Sequence, residues 1–196
     1  IKKIKHPAIK GALDYLDIQD GLEIHTDGDL PARSGLGSSS AFSSALIMAL
    51  STFKGRKLST KELTDSTIYF EQKILNENVG IQDQIQTCYG GFNLLSINKK
   101  GNYRILRLDI CSELVQNISR KMMLVYTGIT RNSSEVQIKN SEIDPYRRNI
   151  SLEKIAKIAD EVTEKILKEN ISFNQFLDFL NETWQYKIKL FSDSEN

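Results

Sequence analysis

Histidine, cysteine, proline and tryptophan are all scarce in this chain of 196 residues, at two, two, three and one. His6 and His25 form no HExxH or other metal-ligand spacing, which excludes a histidine-built zinc centre and leaves each a structural role. Cys88 and Cys111 lie too far apart for a CxxC motif and have no histidine beside them, so a thioredoxin-type site is excluded. Reduced thiols and a cytoplasmic setting are expected. Neither sign of charge prevails: 26 basic residues stand against 25 acidic ones, for a net charge of +1. Without a basic stripe, no nucleic-acid partner is expected. The longest apolar run, Ala45 to Leu50, is far short of the ~20 residues of a membrane helix, and Ile1 to Lys10 leads into no apolar signal-peptide segment. No membrane partner is expected either. Charge and composition say nothing about oligomeric state.

What the chain does carry is a run of glycines and serines, Pro31-Ala32-Arg33-Ser34-Gly35-Leu36-Gly37-Ser38-Ser39-Ser40, directly ahead of an apolar helical segment. Backbone amides at a helix start lack intrahelical partners, glycines admit a ligand close to the backbone, and hydroxyls add donors. A nucleotide phosphate is the candidate anion; N-capping and turn formation by the serines are the alternative.

The flanking pattern is mixed. His6 to Tyr15 reads as a short helix, and Leu22, Ile24 and Thr26 alternate with Glu23 and His25 as in a half-buried strand. A helix is expected from Ser38 to Phe53, ending near Gly55. Ser59-Thr60-Lys61-Glu62 has capping-box form and opens a helix whose buried side is Leu63, Ile68, Tyr69 and Leu75. Gly80 to Gln84 reads as a turn entering a short helix. Phe92 to Ile97 and Tyr103 to Leu108, joined by Asn98 to Asn102, read as a β-hairpin. A buried strand is expected over Lys121 to Thr127, then helices from about Ile150 to Lys168 and from Ser172 to about Leu190. A change of domain is expected near residue 115.

The chemistry narrows by exclusion. No G-x-S-x-G elbow is present, a Walker A loop would need lysine where Ser38 stands, and a G-x-G-x-x-G loop would need glycine at Ser40. What remains is Gly35 to Ser39 at a helix start, with Glu71 and Asp83 downstream as candidate magnesium ligand and base for phosphoryl transfer. Pairing of Glu71 with Lys61 or Lys73, and a cap or solvated role for Asp83, are the alternatives.

The string from Pro31 to Ser40 resembles the second signature of the GHMP kinases, the superfamily of galactokinase, homoserine kinase and mevalonate kinase. Three strings in order resemble the bacterial D-glycero-D-manno-heptose 7-phosphate kinases within it: Asp29 to Phe42, Gly80-Ile81-Gln82-Asp83-Gln84 with Tyr89 to Asn93, and Tyr126-Thr127-Gly128-Ile129-Thr130-Arg131. The resemblance implies an α+β GHMP kinase fold. Its N-terminal part, residues 1–115, would be like the second domain of ribosomal protein S5, and residues 116–196 would be part of a ferredoxin-like domain. It implies ATP- and Mg2+-dependent phosphorylation of a sugar phosphate, most simply the anomeric hydroxyl of a heptose 7-phosphate, with a fucose kinase or a non-catalytic nucleotide- or sugar-binding fragment as alternatives.

Residue by residue, the resemblance assigns Gly35, Leu36, Gly37, Ser38, Ser39 and Ser40 to the ATP phosphates, Ser39 and Glu71 to the metal, and Asp83 to the substrate hydroxyl. Glu71 meets the family pattern only with a one-residue gap. Arg131 is the candidate for the sugar phosphate, since guanidinium binds phosphate bidentately, with a surface role as the alternative. The first signature and the glycine-rich third signature of the family are not found, and none of the eleven glycines follows Gly128. The chain is therefore expected to be a fragment, with activity depending on the missing signatures.

Overall fold

The structure, a computed structural model, describes residues 4–19, 21–28, 35–125, 128, 144–169 and 171–191. They fall into two units, one formed by the described residues up to Gly90 together with Gly128, the other by Gly91–Val125 with the described residues from Asp144 onward.

In the first unit, α1 (Pro7–Tyr15) opens with proline at N1, where the missing amide costs no helical bond, and His6 Nδ1 caps it by accepting from the Ile9 amide at 3.4 Å. The structural role expected of His6 is this cap. Lys54 Nζ donates to the carbonyls just past α1, Leu16 O at 2.7 Å and Asp17 O at 3.2 Å, and so ties that end to the end of α2 (Ser38–Phe53). Helix α2 has the bounds its periodicity predicts. Its buried side mixes Leu46, Ile47 and Leu50 with Ser40, Ser43, Ser44 and Ser51, small residues that let neighbouring helices approach.

Helix α3 (Thr60–Tyr69) begins with the expected capping box, Ser59 and Glu62 each accepting from the other's amide. It continues without a break into a π turn, Phe70–Ile74, closed by the Leu75 amide on Phe70 O at 2.9 Å. Two buried threonines precede that turn with hydroxyls bonded back to carbonyls four residues earlier, Thr64 to Thr60 and Thr67 to Leu63. Such back-bonding competes with the regular α pattern. Helix α4 (Gln82–Tyr89) follows and packs on α2 and α3.

The core of this unit joins Ala12 and Leu13 of α1 to Ile47 and Leu50 of α2, Leu63 of α3 and Phe70. Leu22 and Ile24 pack against it between exposed Glu23 and His25, so the alternation is real, but residues 21–28 are not a strand. A strand exists only through a ladder with a neighbour, and no described segment pairs with this one.

The second unit begins with the expected hairpin, β1 (Asn93–Ile97) antiparallel to β2 (Tyr103–Arg107), in register Leu95 to Ile105. Its turn closes with the Asn98 amide on Asn102 O at 2.9 Å, and Gly101 supplies the positive φ of 81°. Helix α5 (Ser112–Lys121) corrects the expectation of a strand starting at Lys121. Leu114 and Ile118, one turn apart, pack into the core of this unit and draw the segment into a helix. Met122–Val125 are exposed and in no strand, while residues 126 and 127 lie outside the described residues. Helices α6 (Pro145–Glu169) and α7 (Phe173–Phe191) pack along each other, the latter behind a Ser172/Gln175 capping box. Helices with one antiparallel hairpin make the α+β class that the sequence implies. No described helix is long and apolar enough to cross a membrane.

Candidate functional site

The start of α2 is an uncapped helix N-terminus. Its N-cap is Gly37, in the left-handed region at φ 72°, which has no side chain to offer, and the Ala41 amide takes the first carbonyl, Gly37 O, at 2.9 Å. The serines are therefore inside the helix as its first three residues, not caps. No side chain caps this end, so the amides of the first turn are open to an anion. Gly35 also has positive φ, 77°, and Gly35 and Leu36 are exposed. Pro31 to Ser34 lie outside the described residues.

Three serines in a row on a helix face three directions. Ser39 is exposed, whereas Ser40 is buried and its Oγ donates to Glu71 Oε2 at 3.0 Å. Glu71 itself is 1% exposed, and Gln84 Nε2, from α4, donates to the same Oε2. Oε1 of Glu71 and Oε1 of Gln84 are buried with no hydrogen-bond partner. Of the two lysines weighed as partners of Glu71, Lys61 pairs with Asp65. Burial, and secondarily the charge of Glu71, push the Glu77 carboxyl up from the ordinary glutamate range. Among the described residues no cation forms an ion pair with Glu71.

Glu71 is the second residue of the π turn. A π turn holds one residue more than the α turn it replaces.

Asp83 sits in the first turn of α4, exposed, where the positive end of the helix dipole favours a carboxylate. A Cβ placed on Gly37 would lie 3.6 Å from Asp83 Cγ and 3.8 Å from its Oδ2, so the start of α2 and the Asp83 carboxyl adjoin. One unit therefore gathers the uncapped amides of α2, Ser40, Glu71 and Asp83. Arg131 lies outside the described residues.

Sequence reasoning missed Gln84. It is the buried polar residue of α4, next to Ile85 and one turn before Cys88, which packs on the core. An uncharged amide at an inward helix position is the signal that was available.

A magnesium site is implied by the resemblance, and the donor set fits one. Glu71 offers an unpartnered carboxylate oxygen, Ser39 an exposed hydroxyl, and all are hard oxygen ligands. Among the described residues no group of three or more His, Cys, Asp or Glu could hold a metal alone.

Residues 3–91 match the family described as GHMP kinases N terminal domain, a span ending where the first unit ends. The chain is 24% identical over 165 residues to D-glycero-alpha-D-manno-heptose 7-phosphate kinase of Campylobacter jejuni, covering 84% of this chain and 48% of that protein. It is 24% identical over 175 residues to the bifunctional fucokinase/GDP-fucose pyrophosphorylase of Arabidopsis thaliana, covering 87% of this chain and 16% of that protein. The fold is similar to that of a crystal structure titled D-glycero-D-manno-heptose 1-phosphate kinase from Bacteriodes thetaiotaomicron, with TM-score 0.69 and 24% identity over 93% of this chain and 55% of the other. The chain thus spans about half the length of the heptose kinases it matches.

Proposed function

We propose that this chain, a member of the GHMP kinase family through its residues 3–91, is the nucleotide-binding portion of an ATP-dependent kinase whose acceptor is a heptose 7-phosphate. The observation that carries the reading is the uncapped start of α2 beside the Asp83 carboxyl, an anion cradle and a proton acceptor brought together from segments far apart in sequence.

In this proposal the amides from Ser38 to Ser40 bind the β- and γ-phosphates of ATP, and Gly35 and Gly37 let the backbone wrap them. The anomeric hydroxyl oxygen of the acceptor attacks the γ-phosphorus, its proton passes to a carboxylate oxygen of Asp83, and the bond to the β–γ bridging oxygen breaks as ADP leaves. Glu71 and Ser39 would hold Mg2+, which supplies neutralisation of phosphate charge. Arg131 is assigned to the acceptor's 7-phosphate by its chemistry and by its place in the matched string.

Similarity to a fucokinase keeps a second acceptor in view, because a phosphate cradle does not select the sugar. The full-length protein, given Mg2+ and ATP with heptose 7-phosphate, fucose or mevalonate in turn, should form a new phosphate ester, anomeric on the sugars and on the primary alcohol of mevalonate, read by phosphorus NMR and formed fastest on heptose 7-phosphate. Faster turnover of fucose or mevalonate would reassign the acceptor.

A further inference from the structure

Glu71 is a buried carboxylate whose recorded partners are all on one side. Ser40 Oγ and Gln84 Nε2 both donate to Oε2, while Oε1 is buried and unpartnered. Two neutral donors do not offset the desolvation of a carboxylate at 1% exposure, and among the described residues no lysine, arginine or histidine pairs with Glu71. The second orphan in the site, Gln84 Oε1, is also an acceptor. Two buried acceptors without donors, on side chains that touch, call for a positive charge rather than another acceptor.

We infer that Gln84, seconded by Ser40, is a positioning residue for the metal carboxylate: it holds Oε2 of Glu71 so that Oε1 is the oxygen presented to a divalent cation. This rests on the kinase reading above and adds a second consequence. Ser40 belongs to α2, whose first turn carries the phosphate amides, Glu71 to the π turn, and Gln84 to α4, where it follows Asp83. The two hydrogen bonds therefore fix the cradle, the metal carboxylate and the base relative to one another. Gln84 is replaceable without touching a group that meets substrate, and at Ser40 the hydroxyl can be removed while the backbone amide assigned to phosphate stays.

The test uses Mn2+ as a paramagnetic probe, titrated into the full-length protein saturated with a non-hydrolysable ATP analogue. Outer partners of metal ligands typically contribute about 10–100-fold in metal affinity. Gln84→Met, which keeps length and loses both hydrogen-bonding groups, should weaken Mn2+ binding about tenfold while leaving metal-free binding of the analogue within about twofold. Ser40→Ala, a change of one buried hydroxyl, should act in the same direction and guards against misfolding of the first variant. Unchanged Mn2+ affinity in both variants would overturn the positioning role and leave the kinase reading standing. A parallel fall in Mn2+ and metal-free analogue affinity would reduce the cluster to a structural one and overturn it as well. If the unsubstituted full-length protein binds no Mn2+ with the analogue, the kinase reading fails first and this inference with it.

Discussion

Asp83→Asn should lower turnover of the full-length protein by about 10²–10⁴-fold, the usual contribution of a positioned general base. The substitution preserves size and hydrogen-bonding reach but removes the ability to take a proton, so the deficit should lie in kcat. Nucleotide affinity should hold or improve. Asp83 lies against the backbone of Gly37, at the point where phosphate would sit, and removal of its charge relieves repulsion of an anion. Turnover by single-turnover kinetics, with ATP affinity measured in parallel, separates the two effects. Turnover within about twofold of the unsubstituted protein would remove Asp83 from the chemistry and return it to the solvated charge that an aspartate in a first helical turn otherwise is.

The largest expected effect on stability is at Phe70. It is fully buried, its ring lies 6.3 Å from that of Tyr15, and it sits beneath Gly11, where an added Cβ would be 3.6 Å from Phe70 Cε2. Phe70→Ala should cost about 3–5 kcal/mol, combining lost burial with the cavity left between α1 and the π turn. Against a typical domain stability of about 5–15 kcal/mol, that is a large fraction of the total. Phe70 also begins the π turn and accepts its closing bond from Leu75, so the same change should loosen the segment that aims Glu71. Trp184, the only tryptophan, belongs to the second unit and does not report on this core. Circular dichroism during urea unfolding is the suitable measurement. A loss below about 1 kcal/mol would mean that the core of the first unit is not organised around this ring.

The helices of the first unit were legible because capping and periodicity act locally. Ser59 and Glu62 announce a helix start whatever surrounds them, and the helical spacing of Phe42, Ala45, Leu46, Ala49 and Leu50 marks α2, although Ala45 and Ala49 prove exposed. Residues 21–28 were misread for a physical reason: alternation reports burial, while a strand needs a partner that lies elsewhere in the chain, and over Met122–Val125 the apolar run marked neither burial nor a strand. Helix α5 was missed because its inward pair, Leu114 and Ile118, is short against the apolar run that follows it.

At the site, the glycines and Asp83 were readable from type and order. Which serine turns inward emerged only from the structure, where Ser40, Ser44, Ile47 and Ser51 are all buried. The π turn was not readable, because an extra residue in a helix leaves no mark on composition. Gln84 went unremarked because a glutamine beside a candidate base looks like a surface residue until α4 is seen to turn it inward.

The claim on which the rest depends is that the first turn of α2 binds ATP phosphate. Amide hydrogen exchange at Ser38, Ser39 and Ser40 tests it most directly, since these amides precede the first intrahelical bond and have no side-chain cap. Saturating MgATP should slow their exchange by about tenfold or more through new hydrogen bonds, with smaller changes across α5, α6 and α7. Exchange at the three serines unchanged by saturating MgATP would contradict the account.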